Sequence, residues 1–91
     1  MTTLFNTLGD LGWDVDILYQ DDHWVIVLPA NKRCLWVARK NKYGYVSRRA
    51  QDLYRWRNGW YSFFTDSARP SKGIPQHIVD QVKFLFGWLD L

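Results

Sequence analysis

The spacing of hydrophobic positions is helical at the start of the chain, alternating through its middle and helical again at its end. Leu4, Phe5, Leu8 and Leu11 fall on one stripe, with Thr2 or Thr3 available as N-cap and Gly12 placed to end the turn. This predicts a short helix over Thr3 to Leu11. From Trp13 the period becomes two: Val15, Ile17 and Tyr19 alternate with Asp14, Asp16 and Leu18, and Gln20-Asp21-Asp22 supplies turn chemistry before a second run from His23 to Leu28. The first strand is expected to be half exposed. The second is apolar on both sides, which predicts a central position. Pro29 to Lys32 reads as a loop, Cys34 to Lys40 as a third strand, and Asn41 to Gly44 as a turn into Tyr45-Val46-Ser47.

Two readings of Arg48 to Gly59 stand side by side. In one, Leu53 to Arg57 and Trp60 to Phe64 form a hairpin closed by the two-residue loop Asn58-Gly59, which places Tyr54 beside Phe63 and Trp56 beside Tyr61. Arg55, Arg57, Trp60 and Ser62 then share the opposite face. In the other, Arg48 to Arg57 is a helix capped by Ser47 and stopped by Gly59. Alternation and aromatic content favour the hairpin. Thr65 to Gly73 is loop by composition. Pro75 opens a last helix whose core stripe is Ile78, Val79, Val82, Leu85, Phe86 and Leu89, while His77, Phe84 and Trp88 project away from it. The expected architecture is a single α+β domain over 1–91: an N-terminal helix, a twisted antiparallel meander of about five short strands, and a C-terminal helix packed on the sheet.

Composition narrows the class further. Hydrophobic residues form 47% of the chain, with six Trp, five Tyr and five Phe, enough for one aromatic core at this length. A lone Cys34 rules out an internal disulfide, and with two separated His it offers no Cys/His zinc spacing. The apolar runs WVIVLPA and FLFGWL are far too short to span a membrane, so a soluble cytoplasmic protein is expected, with no membrane partner.

Charge is strongly segregated. Residues 1–31 hold five Asp and no Lys or Arg, whereas 32–57 hold nine cations against Asp52 alone. Within Arg39 to Phe64, cations alternate with aromatics. Guanidinium and ammonium groups neutralise phosphates and aromatic planes stack on bases, so nucleic acid is the first partner to consider. The candidate contacts are Arg39, Lys40, Lys42, Arg48, Arg49, Arg55, Arg57 and Trp60. A protein-binding module or inhibitor is the alternative, because Trp, Tyr and Arg also dominate protein interfaces. Phe84 and Trp88 would give it a second surface, open to homodimerisation through the last helix, and the acidic Asp14, Asp16, Asp21 and Asp22 could mimic phosphates for a nucleic-acid-handling partner. Catalysis ranks below both. Asp14 and Asp16 share a strand face as hard-cation ligands would, yet HWVIVLP supplies no further acid or lysine beside them, and no phosphate loop or nucleophile triad is present. The expectation is a non-catalytic protein with no cofactor and no metal.

Overall fold

The computed structural model describes residues 15–30, 32–47 and 49–90. The expected helix over 3–11, together with Asp14 and Arg48, lies outside them. Five strands, β1 (Val15–Gln20), β2 (Trp24–Pro29), β3 (Leu35–Arg39), β4 (Leu53–Trp56) and β5 (Trp60–Ser62), form one antiparallel sheet in the order β1-β2-β3-β4-β5. Each strand pairs with its neighbour in sequence. The helix α1 (Gln76–Leu89) closes the chain and packs on one side of the sheet. The meander and the C-terminal helix are thus as the pattern predicts, and Leu53–Trp56 and Trp60–Ser62 form the hairpin, preceded by a 3-10 turn at Ala50–Asp52.

Burial on both sides of β2 and β3 divides the core in two. Val25 and Val27 with Cys34, Trp36 and Ala38 join Val15, Val46, Leu53 and Phe63 on one side. Trp24, Ile26, Leu35 and Val37 join Tyr54, Ile74 and the helix residues Ile78, Val79, Val82 and Leu85 on the other. Alternation along each strand distributes these side chains, and the helix stripe fills the second side. Pro75 occupies the cap position, one residue before the helical turn, where its carbonyl accepts from the Ile78 and Val79 N–H groups at 3.0 and 3.1 Å.

Two registers differ from the alternation expected. The first is in β1, where pairing passes from Ile17↔Val27 to Tyr19↔Ile26, a bulge at Leu18. Ile17 stays with the first core while Leu18 and Tyr19 both pack on the helix side. The second is the β4-β5 hairpin. Trp56 pairs with Trp60, Arg55 with Tyr61 and Tyr54 with Ser62, so the loop is Arg57-Asn58-Gly59 and not Asn58-Gly59. The Arg57 N–H donates to the Gly59 carbonyl at 3.0 Å, and Asn58 takes a left-handed φ of 53°. A slip of one residue exchanges the faces of a strand. Trp60 accordingly joins Tyr54 and Trp56 on the helix side, its ring edge-on to Trp56 at 4.9 Å and to Tyr54 at 6.0 Å. Tyr61 takes the face of Arg55. Burying both indoles against the helix-side core decides the register, and Arg55 and Trp60 do not share a face.

Candidate functional site

An open groove of about 1050 Å³ lies on the helix side of the sheet, where β3 runs into the turn after it. Its floor is Trp24 and Tyr54, and its walls carry Arg39, Lys40, Lys42, Arg49 and Arg69 against the single carboxylate of Asp52. The turn is built by Asn41, whose side-chain oxygen accepts from the Tyr43 and Tyr45 N–H groups at 2.9 and 3.1 Å, while Gly44 adopts φ 85° to complete it. The chain returns through the Lys40↔Val46 bridge, which sets Arg39, Lys42 and Tyr45 around one opening. Tyr45 in the lining is 44% exposed, and Tyr43, 71% exposed, stands outside the lining with Lys42 Nζ 5.1 Å from its ring centre. A smaller hollow of about 340 Å³ shares Trp24, Arg39 and Gly73 and extends the groove toward Pro75 and His77 at the start of α1.

The cations of the groove differ in their engagement. Lys40 Nζ donates to the Gln20 side chain at 3.1 Å and the Asp21 carbonyl at 2.6 Å, tying β3 to the β1-β2 turn. Arg69 is fixed most firmly: Nη1 donates to the Ala50 and Leu53 carbonyls at 2.9 and 2.6 Å, Nη2 to that of Gln51 at 2.7 Å, and its guanidinium lies 3.8 Å from the Tyr54 ring centre. Arg39 and Lys42 have no carboxylate partner among the described residues. Asp52 accepts from the Ser47 hydroxyl at 2.6 Å, which holds the groove's one acid against its wall. The sequence pattern places Arg69 only in a loop, since bonds from a side chain to main-chain carbonyls leave no periodic trace.

The remaining candidates lie elsewhere. Arg55 is half-buried on the opposite face, where Nε donates to the Ser62 carbonyl at 2.9 Å and Nη2 to the Thr65 carbonyl at 2.5 Å and to Asp66 Oδ1 at 3.0 Å. Arg57 is exposed in the hairpin loop, 5.8 Å from the Tyr61 ring centre. Both line a small hollow with Lys32, Arg33, Cys34 and Tyr61. The single basic face drawn from the sequence is therefore corrected to two: Arg39, Lys40, Lys42 and Arg49 gather at the groove, and Arg55 and Arg57 gather at the hollow. Half-buried Trp60 borders neither.

Asp21 organises the first turn. Its Oδ1 accepts from the His23 and Trp24 N–H groups at 2.8 and 2.7 Å, and its Oδ2 accepts from the Tyr19 hydroxyl at 2.9 Å and lies 3.6 Å from His77 Nε2. Burial alone would raise its pKa, but these donors outweigh burial and hold it below the usual value. Among the described residues no group of three His, Cys or Asp side chains is set to hold a metal ion, and no helix is long and apolar enough to cross a membrane. On α1, Phe84 and Trp88 stand one turn apart on the outer face, 64% and 71% exposed. Comparison with protein-family models, curated proteins and solved structures finds no match, so the reading of these sites rests on their own geometry.

Proposed function

We propose that this protein is a non-catalytic binding domain that holds a nucleic-acid strand in the groove beside β3. The observation that carries the reading is the placing of Arg39, Lys40, Lys42, Arg49 and Arg69 around one concavity with a single acid. Such a surface concentrates positive potential where a polyanion can follow it. Arg39, Lys42 and Arg49 supply phosphate contacts, Lys40 and Arg69 add charge while holding the walls, and the exposed rings of Tyr43 and Tyr45 offer planes for bases to stack on. A lone cysteine suits a reducing, cytoplasmic setting in which nucleic acid is plentiful.

The test is a titration of labelled single-stranded and duplex oligonucleotides, read by fluorescence polarisation at increasing salt. Removing a cation that neutralises one phosphate should lower the logarithmic salt slope by about one. Replacing Arg39, Lys42 and Arg49 together by Ala should therefore flatten the slope by up to about three and weaken every sequence alike. No binding at low salt to any of these polymers removes the proposal.

One observation favours a second reading, a protein partner. The Phe84 and Trp88 rings form an apolar patch on an otherwise polar helix face, the kind of surface that protein contacts bury. A partner retained from a nuclease-treated lysate by the parent chain and absent with Phe84→Ser/Trp88→Ser would establish it. The same double variant, followed by light scattering, tests homodimerisation through this helix.

A further inference from the structure

A second basic hollow, separate from the groove, lies on the opposite side of the sheet. The hollow of about 160 Å³ between the β2-β3 connection and the β4-β5 hairpin is lined by Lys32, Arg33, Cys34, Arg55, Arg57 and Tyr61, four cations with no acid among them. It shares no lining residue with the groove. The nearest compensation is Asp66, which binds Arg55 at 3.0 Å but does not line the hollow and is almost wholly exposed. Lys32, Arg33 and Arg57 have no carboxylate partner among the described residues. Four like charges drawn around one small concavity repel each other unless an anion sits between them.

Fixed geometry accompanies the charge. Arg55 is held by three bonds through Nε and Nη2, which leaves Nη1 without a protein acceptor among the described residues. Arg57 lies over the face of Tyr61. At the floor is the chain's one thiol, Cys34, buried in the first core. Cys34 shares the lining of the hollow with Lys32, Arg55 and Arg57; burial pushes its pKa up, and these three charges act on it in the other direction. The hollow is too small for a folded polymer and of the right order for one tetrahedral oxyanion with its bridging oxygen. Arginine forks and a lysine match the oxygens of such a group at several points.

We propose that this hollow binds the phosphate group of a phosphate monoester, with Lys32, Arg33 and Arg57 as contacts free of carboxylate partners and Arg55 as the one anchored by hydrogen bonds. The group can come on a small-molecule phosphate monoester or as the terminal phosphate of a nucleic-acid strand. An anion seated there lies over Cys34, and the thiol reports its presence.

The experiment follows alkylation of Cys34 in the full chain by uncharged iodoacetamide, with inorganic phosphate exchanged for chloride at constant ionic strength. At phosphate ten times above its dissociation constant the rate should fall about ten-fold, and the effect should saturate. Arg57→Ala and Lys32→Ala should each abolish the protection, whereas Arg39→Ala and Arg49→Ala in the groove should leave it intact. Survival of the protection in those groove variants separates this site from the oligonucleotide reading, which can fail independently. A dinucleotide with a terminal phosphate that protects, against no protection by its terminal-hydroxyl counterpart, supports a strand end as occupant. Protection by a small phosphate monoester such as glycerol phosphate that the dinucleotide does not match supports a small-molecule occupant, and protection by inorganic phosphate with none from either ester overturns the monoester proposal. Should the buried thiol resist the reagent, broadening of the phosphorus NMR line of phosphate, abolished in Arg57→Ala, gives the same answer. Equal alkylation rates in phosphate and chloride, or an unbroadened line, overturn the proposal.

Discussion

Arg69 turns a surface cation into scaffold. Its guanidinium satisfies three carbonyls of the segment from Ala50 to Leu53 and stacks on Tyr54, so the 3-10 turn and the start of β4 depend on one side chain from a distant loop. Arg69→Ala should cost about 2–4 kcal/mol in a denaturant titration, since several charge-assisted bonds disappear at once. Arg69→Lys should recover little of it, because an ammonium cannot reproduce the fork. Arg55 holds the 62–66 segment in a similar way, so Arg55→Ala should lower the unfolding midpoint while Arg57→Ala, in an exposed loop, leaves it unchanged. Asp21 gives a pH dependence whose sign follows from its depressed pKa. Its carboxylate stabilises the fold above the unfolded-state pKa of about 4, and that contribution disappears as pH falls through the lower folded value. Asp21→Asn should therefore lose less stability than the parent chain on acidification from about pH 4 to about pH 2, measured by urea midpoints at each pH.

At the level of elements, the hairpin shows where the sequence stops being legible. Asn-Gly after alternating aromatics marks a turn correctly, yet the register depends on which indoles find a buried surface, and that surface is supplied by α1, which lies well beyond the hairpin in the chain. Trp56 and Trp60 lie across from each other on the helix side, with Phe86 of the helix 6.4 Å from Trp56. Trp60→Ala should cost about 2 kcal/mol, below the range for a fully buried aromatic because Trp60 is only half covered. Asn58 holds a left-handed conformation, so Asn58→Ala should cost about 1 kcal/mol and Asn58→Gly almost nothing. The bulge at Leu18 is equally hidden, because Leu18 and Tyr19 are both apolar enough to pack on the helix side. By contrast β2, β3 and α1 are readable. Continuous apolar runs specify strands covered on both faces, and the stripe of Ile78, Val79, Val82 and Leu85 specifies a helix with one buried side. The same wheel sets Phe84 and Trp88 off the core stripe but is equally compatible with a helix buried on both sides, and the structure leaves them 64% and 71% exposed.

Across the whole molecule, the strong segregation of charge along the sequence becomes two basic concavities on opposite sides of one sheet. Neighbours in a stretch of sequence need not be neighbours on a surface, and the strand alternation that separates Arg39 from Arg55 is the reason here. In a chain carrying both Arg39→Ala and Arg57→Ala, the losses of oligonucleotide affinity from the two substitutions should simply add, because the sites share no lining residue. Coupling between the two effects, measured as a double-mutant cycle, would show that a single ligand reaches both. The order β1-β2-β3-β4-β5 has a further consequence. Every ladder joins segments adjacent along the backbone, so short loops close before any distant ends must meet, and the entropic barrier to assembly is small for a sheet protein. Refolding after dilution from denaturant is expected on the millisecond timescale, measured by stopped-flow fluorescence.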